Sequence, residues 1–74
     1  MTPAAQSMDV VVNGESRTVP EGMTVTKLLD QLNVPAERVV VEVNLTILKR
    51  AQHATMVLHP GDRVEIVRFV GGGM

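Results

Sequence analysis

Apolar positions follow two rhythms along this chain, and each marks a different element. Met8-Asp9-Val10-Val11-Val12 is short and β-branched, which predicts a strand. Asn13-Gly14 comes next, a dipeptide suited to a type I′ turn, whose two central residues both need positive φ. Glu15-Ser16-Arg17-Thr18-Val19 returns as a second strand. It is polar at most positions, so it is expected at a sheet edge or with one face exposed, and Pro20 ends it because proline cannot donate a ladder hydrogen bond. The period then changes. Thr24 stands where a helix N-cap belongs, and Val25, Leu28, Leu29 and Leu32 recur at i, i+3, i+4 and i+7, the stripe of a helix lying on another surface. Asn33 closes this helix and Pro35 prevents its continuation. At about three turns it is too short to stand alone in water, so packing must hold it.

Alternation resumes at Arg38–Val43, where Val39, Val41 and Val43 share one face and Val40 and Glu42 the other. Asn44 ends that strand. Residues 45–54 show no clean period and read as a loop or one short turn of helix. Thr55–Leu58 reads as a short strand, and His59-Pro60-Gly61-Asp62 as a turn. The last strand is Arg63–Val70, with Val64 and Ile66 facing one way and Arg63, Glu65 and Val67 the other. This order predicts an α+β domain over residues 8–70, with one helix packed across a small mixed sheet. Residues 1–7 read as a loose N-terminal tail and 71–74 as a C-terminal one. The expected core is Val10, Val12, Val25, Leu28, Leu29, Leu32, Val41, Val43, Val64 and Ile66.

Composition narrows the chemistry. A chain of 74 residues holds one domain. It has no cysteine, so disulfides, thiolate metal sites and a cysteine nucleophile are excluded. Phe69 is its one aromatic residue, and its formal charge is −1; neither stacking platforms nor a polyanion footprint follows from these. Apolar runs reach only three residues, as at Val39–Val41. A signal peptide needs roughly 7–15 and a membrane helix about 20, so a cytoplasmic protein is expected. His53 and His59 read as surface histidines beside turns, and Asp62 as a turn residue bonding its own backbone. No metal set, acid–base pair or nucleophile elbow is visible, and an independent enzyme is not expected.

The C-terminal run is the informative feature. Half of the six glycines stand at Gly71, Gly72 and Gly73, directly after Val67, Phe69 and Val70. Three glycines there do nothing for stability, because glycine loses the most backbone entropy on ordering. An arm without β-carbons does enter narrow channels, and four residues span at most ~14 Å. Phe69, Val67 and Val70 beside Arg68 and Arg63 form a candidate partner-binding patch at its base.

In this order the residues resemble the ubiquitin-like β-grasp proteins, and within them the sulfur carriers of thiamine biosynthesis. The matching stretches are Val12-Asn13-Gly14, Thr24-Val25 with Leu28-Leu29, Val39–Asn44, Pro60–Val67 and Val70–Gly73. The resemblance implies that an E1-like enzyme uses ATP to adenylate the carboxylate of Gly73. A sulfur donor protein then supplies the sulfur of a thiocarboxylate, which thiazole synthase consumes. It implies Gly72 and Gly71 as the tail that presents Gly73, no catalytic residue and no resident cofactor in this chain, and neither nucleic acid nor membrane as partner. The family pattern ends at the glycines while this chain continues to Met74, so loss of Met74, with a processing protease where one serves the pathway, is implied as well. Other readings are a carrier for molybdopterin or for amino-acid or metabolite sulfuration, and a non-catalytic β-grasp adaptor.

Overall fold

The computed structural model describes residues 6–69. Strands β1 (Ser7–Val12), β2 (Glu15–Pro20), β3 (Val39–Val43), β4 (Thr46–Ile47) and β5 (Arg63–Arg68) accompany one helix, α1 (Val25–Gln31), and short 3-10 turns at Ala36–Arg38 and Arg50–Gln52. The strands form one sheet in the order β2-β1-β5-β3-β4. β1 and β5 run parallel at its centre, and the other pairs are antiparallel.

The first hairpin forms as its turn dipeptide requires, with φ of 49° at Asn13 and 83° at Gly14. It extends slightly further than expected. Ser7 pairs with Pro20, and the Glu21 N–H donates to the Gln6 carbonyl at 3.0 Å. Pro20 is tolerated because β2 is an edge strand. In α1 the Thr24 hydroxyl accepts the Lys27 N–H at 3.2 Å. At the other end Asn33 takes φ 58°, its N–H donates to Asp30 and the Val34 N–H donates to Leu29. That pair of bonds is a Schellman closure with asparagine in the left-handed position.

Helix and sheet share one core. Val10, Val12, Val25, Leu28, Leu29, Val41, Val43 and Val64 are buried as expected, while Leu32 and Ile66 are half-buried at its margin. Met8, Val19, Val39, Leu48 and Leu58 are buried as well.

Three local expectations are corrected. Within residues 45–54 the expected short helical turn is present at Arg50–Gln52, but a strand precedes it: Asn44-Leu45 forms a second two-residue turn, and β4 follows, with Thr46 opposite Val43 and Ile47 opposite Glu42. Leu48 then drops into the core, its N–H bonded to the Val41 carbonyl at 2.9 Å. Thr55–Leu58 is not a strand. It makes a single bridge, Thr24 to Val57, and serves instead to hold the start of α1, since the Met56 carbonyl accepts the Val25 N–H at 3.0 Å. Finally, β5 stops at Arg68, and Arg38 lies in a 3-10 turn rather than in β3.

Candidate functional site

The site is built around the end of β5, the strand that leads to the glycines. Two asparagines fix that strand. The Asn13 side chain accepts the Ile66 N–H at 2.7 Å and donates to the Ile66 carbonyl at 3.3 Å, continuing the parallel ladder beyond β1. Asn44 accepts the Arg63 N–H at 2.9 Å and donates to the Asp62 carboxylate at 2.9 Å. Asp62 also accepts the His59 backbone N–H at 2.8 Å, the local turn role expected of it. At the far end the Phe69 N–H donates to the Arg38 carbonyl at 2.8 Å, the last described tie before the tail.

Beyond these ties no element among the described residues covers the sheet face opposite α1. On β5 the buried Val64 alternates with Glu65 and Val67, and on β3 the buried Val41 alternates with Val40 and Glu42. Val40 stands opposite Val67 across the ladder. Val67 is 54% exposed, Phe69 56% and Ile47 64%. Phe69, Val40, Ile47, Leu48, Arg50 and His53 share the lining of one open cavity of about 300 Å³. The structure therefore places Phe69 and Val67 at the same end of β5, while Arg68 between them is exposed but alternates to the other face of the strand. It adds Val40 and Ile47, which only the pairing of β3 with β4 and β5 brings there. Val70, Gly71, Gly72, Gly73 and Met74 lie outside the described residues.

His53 is a correction. It is not on the surface but 4% exposed, with Nδ1 unbonded among the described residues. Its backbone explains the placement: its N–H donates to Arg50 and its carbonyl accepts the Thr26 N–H near the start of α1, so the ring is carried inward. Burial, and after it the neighbouring Arg50 charge, hold its pKa below the ordinary 6.5. The unfolded chain therefore binds the proton more readily than the folded one. The contribution of His53 to stability is present above its ordinary pKa of 6.5 and is lost progressively as the pH falls below that value. His53→Leu, similar in volume and unable to titrate, should lose less stability than the parent between about pH 7.5 and pH 5 in parallel denaturant titrations. His59, by contrast, is exposed as expected, with its ring 3.9 Å from Asp62.

Among the described residues no group of three His, Cys, Asp or Glu side chains could hold a metal ion. None of their helices is long and apolar enough to cross a membrane.

A five-stranded mixed sheet grasping one helix, with its central strand leading to the glycines, defines a ubiquitin-like β-grasp domain. The ThiS family model matches residues 10–73, and the chain belongs to the ThiS family. The crystal structure of the thiamine biosynthesis protein ThiS from Geobacter metallireducens superposes with a TM-score of 0.79 at 42% identity, covering 89% of this chain and all of that one. The sulfur carrier protein ThiS of Escherichia coli is 27% identical over 66 residues, 89% of this chain and 100% of its own length. A thiazole synthase of Paramagnetospirillum magneticum is 44% identical over 66 residues, 89% of this chain but 20% of its own length. The chain thus spans about a fifth of the thiazole synthases it matches.

Proposed function

We propose that this chain carries sulfur as a thiocarboxylate on Gly73 for assembly of the thiazole of thiamine. A carboxylate is a poor electrophile. An E1-like enzyme would join the Gly73 carboxylate to AMP from ATP, releasing pyrophosphate. The terminal sulfur of a donor protein's persulfide then adds to the activated carbonyl and AMP leaves; a second thiol attacks the donor's own sulfur in the resulting acyl disulfide, forming a disulfide there and releasing the thiocarboxylate. Thiazole synthase takes the sulfur from the resulting thiocarboxylate. Any residue after Gly73, Met74 included, must be cleaved first, because an amide at Gly73 leaves no carboxylate to adenylate. The observation that carries this reading is the placement of β5, which leaves the sheet at Phe69 two residues before Gly71. Membership of the ThiS family supports it, as does likeness to a segment within thiazole synthases.

The direct experiment is ATP–pyrophosphate exchange by the cognate adenylating enzyme on chains that differ only in the tail. Its expected outcome is argued in the Discussion. A separate test concerns the patch at the base of the tail, read here as the docking surface for that enzyme. Phe69→Ala should weaken binding about tenfold or more in a titration. Its unfolding midpoint should barely move, because the ring is half in solvent. Unchanged affinity would remove Phe69 from the site.

A further inference from the structure

The chain makes the same two-residue turn twice and fills it differently. At the β1–β2 hairpin the second central residue is Gly14, φ 83°. At the β3–β4 hairpin it is Leu45, φ 72°, after Asn44 at 50°. Asparagine tolerates the left-handed region, whereas a leucine there brings its Cβ against the following carbonyl oxygen. Leu45 recovers nothing by burial, since it is 88% exposed. An apolar side chain held in a strained conformation in solvent is doubly unfavourable to the isolated domain. Such an outlier points to a role outside the fold.

Its surroundings give that role a shape. Ile47, two residues on, lines the same cavity as Val40 and Phe69, so the hairpin and the base of the tail form one continuous surface. The rung at the hairpin, Val43 opposite Val64, is four residues from the rung at the tail, Val39 opposite Arg68. That separation is about 13 Å. A standard interface of about 800 Å² per partner is about 30 Å across and reaches both. Between the two rungs Glu42 stands directly opposite Glu65, and among the described residues no lysine or arginine pairs with either. Like charges in that position repel, and a basic group from outside relieves both.

We propose that the β3–β4 hairpin, through Leu45 with Ile47 beside it, docks thiazole synthase, in an apolar recess flanked by a basic side chain. This rests on the thiazole reading above. The choice of occupant comes from the relatives: in two thiazole synthases a segment 44% and 36% identical to this chain is part of the synthase polypeptide itself. There the carrier-like unit and the synthase stay together, the circumstance in which a built-in contact between them is of use.

Leu45→Gly tests this, because the fold and the contact predict opposite signs. Glycine relieves the strain, so the thermal midpoint of the full-length variant should rise. Its affinity for the cognate thiazole synthase, measured by calorimetry against the parent, should fall about tenfold. Leu45→Asn, which also suits positive φ but is polar, should behave likewise. A variant that is more stable and binds the synthase as well as the parent overturns the proposal and leaves the thiazole reading standing. A parent chain that does not bind the synthase at all overturns both. A loss seen with the adenylating enzyme and not with the synthase, or loss of a self-associated form of this chain, assigns the tip to another occupant and equally overturns it.

Discussion

Leu29→Ala is expected to lower the unfolding free energy by about 2–5 kcal/mol, as read from urea titrations of parent and variant. Leu29 is 2% exposed on the sheet-facing stripe of α1, with Val25 and Leu28 at its sides. Two terms add. Several buried carbons lose their transfer free energy, and a cavity remains because a helix of seven residues pinned at both ends cannot slide to fill it. The pins are specific: Thr24 and the Met56 carbonyl at one end, the Asn33–Val34 closure at the other. Domains of this size have total stabilities in single digits to low tens of kcal/mol, so the variant should be partly unfolded at ordinary temperature. A loss under about 1 kcal/mol would mean that the helix is not held as described.

Gly72→Ala is expected to abolish adenylation and leave the fold alone. In ATP–pyrophosphate exchange with the cognate adenylating enzyme, a chain ending at Gly73 should be active. The chain retaining Met74 should be silent until trimmed, and Gly72→Ala in the trimmed chain should be silent as well. The first contrast is chemical, since only a free carboxylate attacks ATP. The second is steric. A backbone that must pass close to enzyme groups has no room for a methyl, and alanine also loses the positive-φ conformations open to glycine. The core runs from Met8 to Ile66, so the substitution should not move the unfolding midpoint. Equal exchange by all three chains would end the carrier mechanism and favour an adaptor that binds partners without chemistry.

Most of the fold is legible in the sequence, and the reasons are local. Asn13-Gly14 has essentially one good use, a tight hairpin. Thr24, the 3.6-residue stripe and Asn33-Val34-Pro35 delimit a helix by capping chemistry that depends on a few neighbouring residues. Val39–Val43 and Arg63–Ile66 alternate, which decides the buried face before any partner strand is known.

What stayed hidden depended on partners distant in sequence. β4 is two residues long and exists only because β3 supplies a free edge beside it; so short a segment has no periodicity to read. His53 is an ordinary polar residue until the loop around it is tied by backbone bonds to Arg50 and Thr26, which carry the ring inward. The outer-face cluster of Val40, Ile47, Val67 and Phe69 is assembled from three strands whose adjacency is set by strand order. By itself the sequence determined most of the elements, the caps of the helix and the buried faces of the strands, all written in residues close along the chain. Tertiary structure alone decided which exposed side chains meet at the base of the tail and which residue bears strain at the second hairpin, because contacts and left-handed backbone at a leucine arise only once distant segments hold each other in place.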